Sequence, residues 1–288
     1  DDSWRRRGPG QPGSVRRRTA SYERVALGVG GMELQTLADR LDDELDTGAY
    51  ADLDASANGL QVGPTRTTHE VEHVAVAVDA CEATAEAAAE ADADLLVTHH
   101  GIVWGGLDRV TGQAYDRVTA FTDRDLPLYV SHLPLDGHPE LGNAARLADL
   151  LDVRETEPFG SLGPEHVGRR GVAAEPYTHD ELRQTLADAL DTGDQPVQVL
   201  PFGPDEIEDV AILTGSGTDW LGEAVEAGCD ALVTGEGKGK AYHEAREAGL
   251  SVFLAGHYAT ETGGVRAVAQ RLDDWGLETT FLEHPTGL

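Results

Sequence analysis

The sequence is poor in lysine, cysteine, methionine and aromatic residues, and it has no long apolar run. Cys81 and Cys229 are its only cysteines, which excludes a disulfide framework and a thiolate metal cluster. No stretch reaches the apolar length of a membrane span, and nothing near the start resembles the core of a secretory leader. No membrane association is therefore expected, and the expected location is the cytoplasm. Lysine occurs only at Lys238 and Lys240, so every other cation is arginine.

Against 22 basic residues stand 52 acidic ones, for a net charge of −30 over 288 residues. The acids are dispersed rather than gathered in a tail. Such a surface repels itself in dilute buffer and is relieved where salt screens it, which points to a halophilic, salt-rich cytoplasm. The same charge argues against nucleic acid as a partner, because a phosphate backbone needs a basic face.

Residues 1–31 have a different composition, with seven arginines against three acids, a net of +4 that leaves −34 for the remainder. Met32 is the only methionine, and amphipathic sequence (MELQTLADRLDDEL) begins there. Residues 1–31 are expected to be upstream sequence or a cloning remnant without ordered structure, with a basic nucleic-acid arm as the alternative. The folded unit is expected over 32–288.

From residue 74 onward, short apolar strands alternate with alanine-rich helical stretches, the pattern of an α/β fold. VAVAV (74–78), DLLVT (94–98) and PLYVSH (127–132) read as strands. CEATAEAAAEA, QAYDRVTAFTDR and PELGNAARLADLL read as helices. Residues 74–100 superpose without a gap on 210–236, with nine of 27 positions identical, including a closing D-x-L-V-T. This implies an internal duplication: two similar α/β halves, about 32–152 and 153–288, each offering the ends of its strands to a cleft. Sites in such sheets lie at the C-terminal ends of the strands.

Polar residues collect at those ends. His99 and His100 close one strand, and Gly235 and Glu236 take the aligned positions in the repeat. The next strand of each half runs into SHLPLD (131–136) or AGHYATE (255–261). Neighbouring side chains on a strand point to opposite faces, so two adjacent histidines share a task only past the strand's end or by serving different partners. His99, His100, Asp136, His257 and Glu261 form a set of imidazoles and carboxylates without thiolate, suited to Zn, Mn, Fe, Co or Ni. His257 and Glu261, four apart, would stack on one side of a helical turn, as an exposed pair also would.

NGLQVG (58–63), DLLVTHHGIVW (94–104), HLPLDGHPELGN (132–143), LVTGE (232–236) and AGHYATETGG (255–264) occur in an order that resembles the Ngg-interacting-factor-three family. That family includes YbgI-type proteins and often carries the label GTP cyclohydrolase I type 2. The resemblance runs from Met32 to the C-terminus and is to the short form, which lacks an inserted domain. It implies a dinuclear centre in a cleft between two α/β halves, with two divalent ions per chain, and assembly into a toroidal hexamer. On this basis His99 and His100 each serve a different ion, Asp136 and His257 are further ligands, and Glu261 bridges both.

Two such ions can activate a water and stabilise charge developing on a substrate. Glu236 is then a candidate general base or ligand orienter, and His132 and His243 are candidates to orient ligands or protonate a leaving group. For all three, a structural hydrogen bond at the cleft wall is the alternative. Asn58 reads as a turn residue at the cleft rim. The glycine-rich TGSGTDWLGEA (214–224) is not a dinucleotide cradle, because Trp220 replaces the third glycine and no G-K-[ST] follows, though its helix start could hold an anion.

Two functions follow. One is a metal-dependent hydrolase of a small molecule, with nucleotides and GTP ring opening as the family label implies. The other is a non-catalytic ring for metal trafficking or for scaffolding a partner. The charge reading has its own test: the thermal unfolding midpoint should fall as KCl is lowered from molar to millimolar. A midpoint that stays level or rises contradicts it.

Overall fold

The computed structural model describes residues 30–64, 69–193 and 195–288. The expectation for residues 1–31 therefore lies outside the described residues, apart from Gly30 and Gly31. The first half opens with β1 (Met32–Glu33), α1 (Leu34–Leu45), β2 (Gly59–Val62), β3 (Glu70–Val71) and β4 (His73–Asp79). There follow α2 (Glu82–Glu90), β5 (Leu95–His100), α3 (Gln113–Thr122), β6 (Leu128–Val130), α4 (Leu133–Gly137) and α5 (Asn143–Leu150). The second half begins with β7 (Val153–Leu162), β8 (Glu165–Tyr177), α6 (His179–Ala189), β9 (Gln198–Leu200) and β10 (Ile207–Ile212). It closes with α7 (Leu221–Glu226), β11 (Ala231–Thr234), α8 (Ala241–Ala248), β12 (Ser251–Leu254), α9 (His257–Asp274) and β13 (Glu278–Phe281).

This is an α/β fold. One sheet has the order β13-β4-β5-β6-β2 and the other β7-β8-β10-β11-β12-β9. In each, three successive strands are parallel and an antiparallel strand closes one edge. The registers correspond under the sequence offset. Val74 faces Leu95 as Val210 faces Ala231, and Val76 faces Val97 as Ile212 faces Val233. Two copies of one unit would leave such a correspondence. Apolar runs such as HVAVAV are buried along their whole length because central parallel strands are covered on both faces.

The halves exchange elements. Val265, Val268 and Leu272 of α9 pack into the core over β4 and β5, and β13 lies parallel to β4. In return, Ala144, Leu147 and Ala148 of α5 pack with Val210, Ile212 and Val233 of the second sheet. No helix among the described residues is long and apolar enough to cross a membrane.

Three local differences from the sequence reading bear on the site. Strand β5 does not stop at Thr98 but continues through His100, which faces Asp79 across the β4 ladder. Strand β6 is only three residues, and His132 immediately precedes the short helix α4, where Pro134 suits the first turn. The long antiparallel hairpin β7–β8 has no counterpart in the sequence reading.

Candidate metal centre

The C-terminal ends of both sheets face one another, and the polar residues meet there. His99 and His100 end β5, and Asp136 lies on α4 just past β6. His257 and Glu261 occupy the first turns of α9. Three groups of side chains place one ligand atom each within 4.8 Å of one another: His99 with Asp136 and Glu261, His100 with His257 and Glu261, and His99 with His100 and His132. Glu261 is common to the first two groups, and the adjacent histidines divide between them.

Each imidazole is held from behind. His99 Nδ1 donates to the Ser131 carbonyl at 2.9 Å, which fixes the tautomer because a carbonyl only accepts. Three more Nδ1 atoms are held by carboxylates: His100 by Asp79 at 2.8 Å, His132 by Asp54 at 2.9 Å and His257 by Glu236 at 3.1 Å. Such partners orient metal-ligating histidines and raise their basicity. For His99, His100 and His257, Nε2 is then left to face the cluster. His99 Nε2 lies 3.5 Å from Glu261 Oε1 and 3.6 Å from Asp136 Oδ1, and His257 Nε2 lies 3.2 Å from Glu261 Oε1. His100 Nε2 lies 3.4 Å from the other oxygen, Glu261 Oε2.

These groups suit a cation. His99 is fully buried and Glu261 nearly so, yet His99 Nε2 and Glu261 Oε2 have no hydrogen-bond partner among the described residues. A buried carboxylate oxygen without a donor is costly, and a metal ion relieves that cost. The separations also fit, since two ligand atoms about 2.1 Å from a tetrahedral ion stand roughly 3.4 Å apart. Asp136 Oδ1 accepts from Asn143 Nδ2 at 2.8 Å, and Asn143 in turn accepts from Gly264 N of α9 at 2.9 Å. The exchanged helices α5 and α9 are thereby tied together beside the cluster.

Gly215 explains the glycine-rich turn. Its φ is +61°, and a Cβ there would lie 2.3 Å from Glu261 Oε1. Its amide donates to Thr260 Oγ1 at 3.2 Å, and that of Gly217 donates to Thr234 Oγ1 at 2.9 Å. The turn allows close approach to the cluster, and these two amides are not offered to an anion.

The remaining candidates have distinct placements. His132 joins the cluster, with its ring 5.1 Å from that of His99. Glu236 is half-exposed and accepts from His257. His243 lies on the exposed side of α8 against Tyr242 and belongs to none of the three groups. Asn58 bonds Asp54 at 2.8 Å and accepts from His132 N at 2.8 Å, so its turn supports His132. The sequence reading missed Asp54, Asp79 and Asn143. Asp79 had a signal, a carboxylate closing the strand beside the histidines, whereas Asp54 and Asn143 had none.

A cavity of about 400 Å³ opens over the cluster, with His100, His132, Asp136, His257 and Glu261 in its wall. Another, of about 300 Å³, meets His100 and His257 together with Asp79 and Glu236.

Charge coupling ties the groups together. Burial alone would lower the pKa of His99, but Asp136 and Glu261 outweigh it and hold the imidazole above its ordinary value. Burial likewise opposes His257, yet Glu261 and Glu236 push it up to about 9. Burial would raise Glu261, but His99 and His257 keep it well below the usual carboxylate range. Burial would raise Asp54 too, but the hydrogen bond with His132 brings it down to about 2.

Without metal, a histidine raised to about 9 keeps its proton at neutral pH, so an incoming ion must displace it, and uptake weakens as pH falls. Titrating a divalent ion into chelator-treated protein at pH 7, in buffers of different ionisation enthalpy, should show release of on the order of two protons per chain. Release of none contradicts the coupling. Gly215→Ala should lower metal content and cost at least about 1–2 kcal/mol of stability from the backbone alone. Elemental analysis and thermal unfolding measure the two effects.

Residues 32–286 match the family model described as Duf34/NIF3 (NGG1p interacting factor 3). The GTP cyclohydrolase 1 type 2 homolog of Halobacterium salinarum is 59% identical over 257 residues, which is 89% of this chain and 100% of that protein. Among solved structures, the protein ybgI is similar at a TM-score of 0.80 and 32% identity, covering 89% of this chain and 100% of that one. TTHA1606 from Thermus thermophilus is similar at a TM-score of 0.79 and 37% identity, with the same coverage. Motif order, fold and these matches agree, and the chain belongs to the DUF34/NIF3 family.

Proposed function

We propose that the protein is a dinuclear-metal hydrolase of a small molecule, a nucleotide in keeping with the names of its relatives, working in a salt-rich cytoplasm. The observation that carries this is the pair of ligand groups sharing Glu261, with the imidazoles preset by acceptors at Nδ1. His99, Asp136 and Glu261 would hold one divalent ion, and His100, His257 and Glu261 the other. Ions held there supply Lewis acidity and activate water near neutral pH.

The chain's own groups divide the remaining work. Asp79 and Glu236 orient His100 and His257, and Glu236 is therefore an orienter rather than the base. His132 faces the large cavity, and Asp54, 1% exposed at its side chain, holds its Nδ1. That leaves His132 Nε2 to carry a proton to or from the substrate, as in other histidines backed by a buried carboxylate. The half-buried and apolar walls of the cavity limit water around the reacting groups. Six copies assembling into a ring belong to the same reading, as the family resemblance implies.

Protein prepared without chelator should carry about two divalent ions per chain. Metal content should fall in His100→Ala and further in Glu261→Ala, and full occupancy in both removes the ligand assignment. In a screen of nucleotides, pterin precursors and phosphoesters at high salt, His132→Gln should lower turnover about 10²–10⁴-fold while keeping its metals. Glu236→Gln keeps an acceptor for His257 and should lose far less. Equal losses would make Glu236 the base, and no turnover above the metal-free control would favour a trafficking or scaffold role.

A further inference from the structure

Trp104 closes the VTHHGIVW segment, and the proposed chemistry gives it no task. Its indole N–H donates to the Gly101 carbonyl at 3.1 Å. Its loop is fixed by the bridge to Ser56 and by Gly105 N donating to the Ala55 carbonyl at 2.6 Å. The ring stands edge to face against His132, centroids 4.9 Å apart, yet the residue remains 43% exposed. Trp220 lines the same cavity, and its N–H donates to the Ser161 carbonyl at 3.1 Å. With both indole donors engaged, the two rings have their apolar faces left to offer a ligand. Leu133, Val167 and Leu213 add further apolar wall.

Among the described residues, basic side chains and free amides that could hold a phosphate are missing from these walls, so the ions of the proposed centre are the remaining anchor for one. None of the described residues lining the cavity is lysine or arginine. The two lysines of the chain are paired outside it: Lys238 with Asp219, and Lys240 with Asp219 and Glu244, both at 3.5 Å. The amides of Gly215 and Gly217 donate to threonine hydroxyls. The amide of His257, at the start of α9, donates to the Leu288 carbonyl at 2.7 Å.

We propose that the cavity over the metal ligands is a slot for a flat, uncharged heteroaromatic ring, held by stacking on Trp104 and Trp220 without need of an attached phosphate. This rests on the reading that the cavity holds the substrate, and it narrows that substrate to a base, nucleoside or pterin-like compound. Stacking tolerates different rings because each has a π face, so selection among them falls to the polar groups beneath.

Calorimetric titration of the metal-loaded, full-length chain in molar KCl tests the slot, using guanosine, guanosine 5′-monophosphate, neopterin and inorganic phosphate as probes. Elemental analysis of each variant checks that its metals are retained. Guanosine and neopterin should both bind although neither carries phosphate, and any gain from the monophosphate should be the same in Trp104→Ala as in the wild type. Trp104→Ala should weaken guanosine binding about ten- to a hundredfold, with Trp104→Phe restoring most of it and Trp220→Ala acting in the same direction. The slot is overturned if neither guanosine nor neopterin binds, or if both tryptophan-to-alanine variants bind guanosine undiminished. Ring binding as expected with no turnover of any substrate sinks the hydrolase reading and leaves the slot standing. Turnover that Trp104→Ala leaves unchanged in KM sinks the slot alone.

Discussion

The carboxylate of Glu261 is 3% exposed, and the arrangement around it follows from the difficulty of keeping a charge there. An unpaired ion in a protein interior costs roughly several kcal/mol even after relaxation. Three imidazole nitrogens stand 3.2 to 3.5 Å from its two oxygens, yet Oε2 has no hydrogen-bond partner among the described residues. The neighbours accept this constraint in different ways. Position 215 has no side chain because one would collide with Glu261. Asp136, the next carboxylate, is steadied by Asn143 and Thr214 so that two negative groups can share a small volume. A cation held among these groups would meet all of these demands.

The imidazoles show how the same constraint passes outward. Each has one nitrogen for the cluster or the cavity and one for an acceptor, and the acceptors come from four separate places in the chain: Asp54, Asp79, Ser131 and Glu236. Asp54 itself is held by Asn58 and by the amides of Ser56 and Leu133. Ring orientation is therefore fixed by the scaffold before any ligand arrives, and the open volume above can be lined by indole and aliphatic groups instead of further charges.

Much of this was legible in one dimension. Alternating strands and helices give the α/β class because burial period and length are local properties, and the ligand candidates sit at strand ends, where such sheets keep their sites. The offset repeat even carries the strand register. The reading ended β5 two residues early because histidine looks like a polar stop, whereas a ladder partner at Asp79 carries the strand on. Asp54 and Asn143 were invisible because each acts on a residue brought to it by tertiary packing. His243 illustrates the reverse: it was a candidate to orient ligands or protonate a leaving group, but the helix turns its side chain to solvent.

The crossing of α9 and β13 into the first sheet has a consequence for the order of events at the ribosome. Strand β4 emerges early, yet its outer neighbour β13 and its covering helix α9 are made about two hundred residues later. Until then the first sheet keeps an open edge and an uncovered face, a slow and aggregation-prone interval of the kind that distant pairings impose. The same late segment carries His257 and Glu261. The carboxylate and imidazoles of the cluster therefore come together only once α9 has been made, long after the strand that carries His99 and His100.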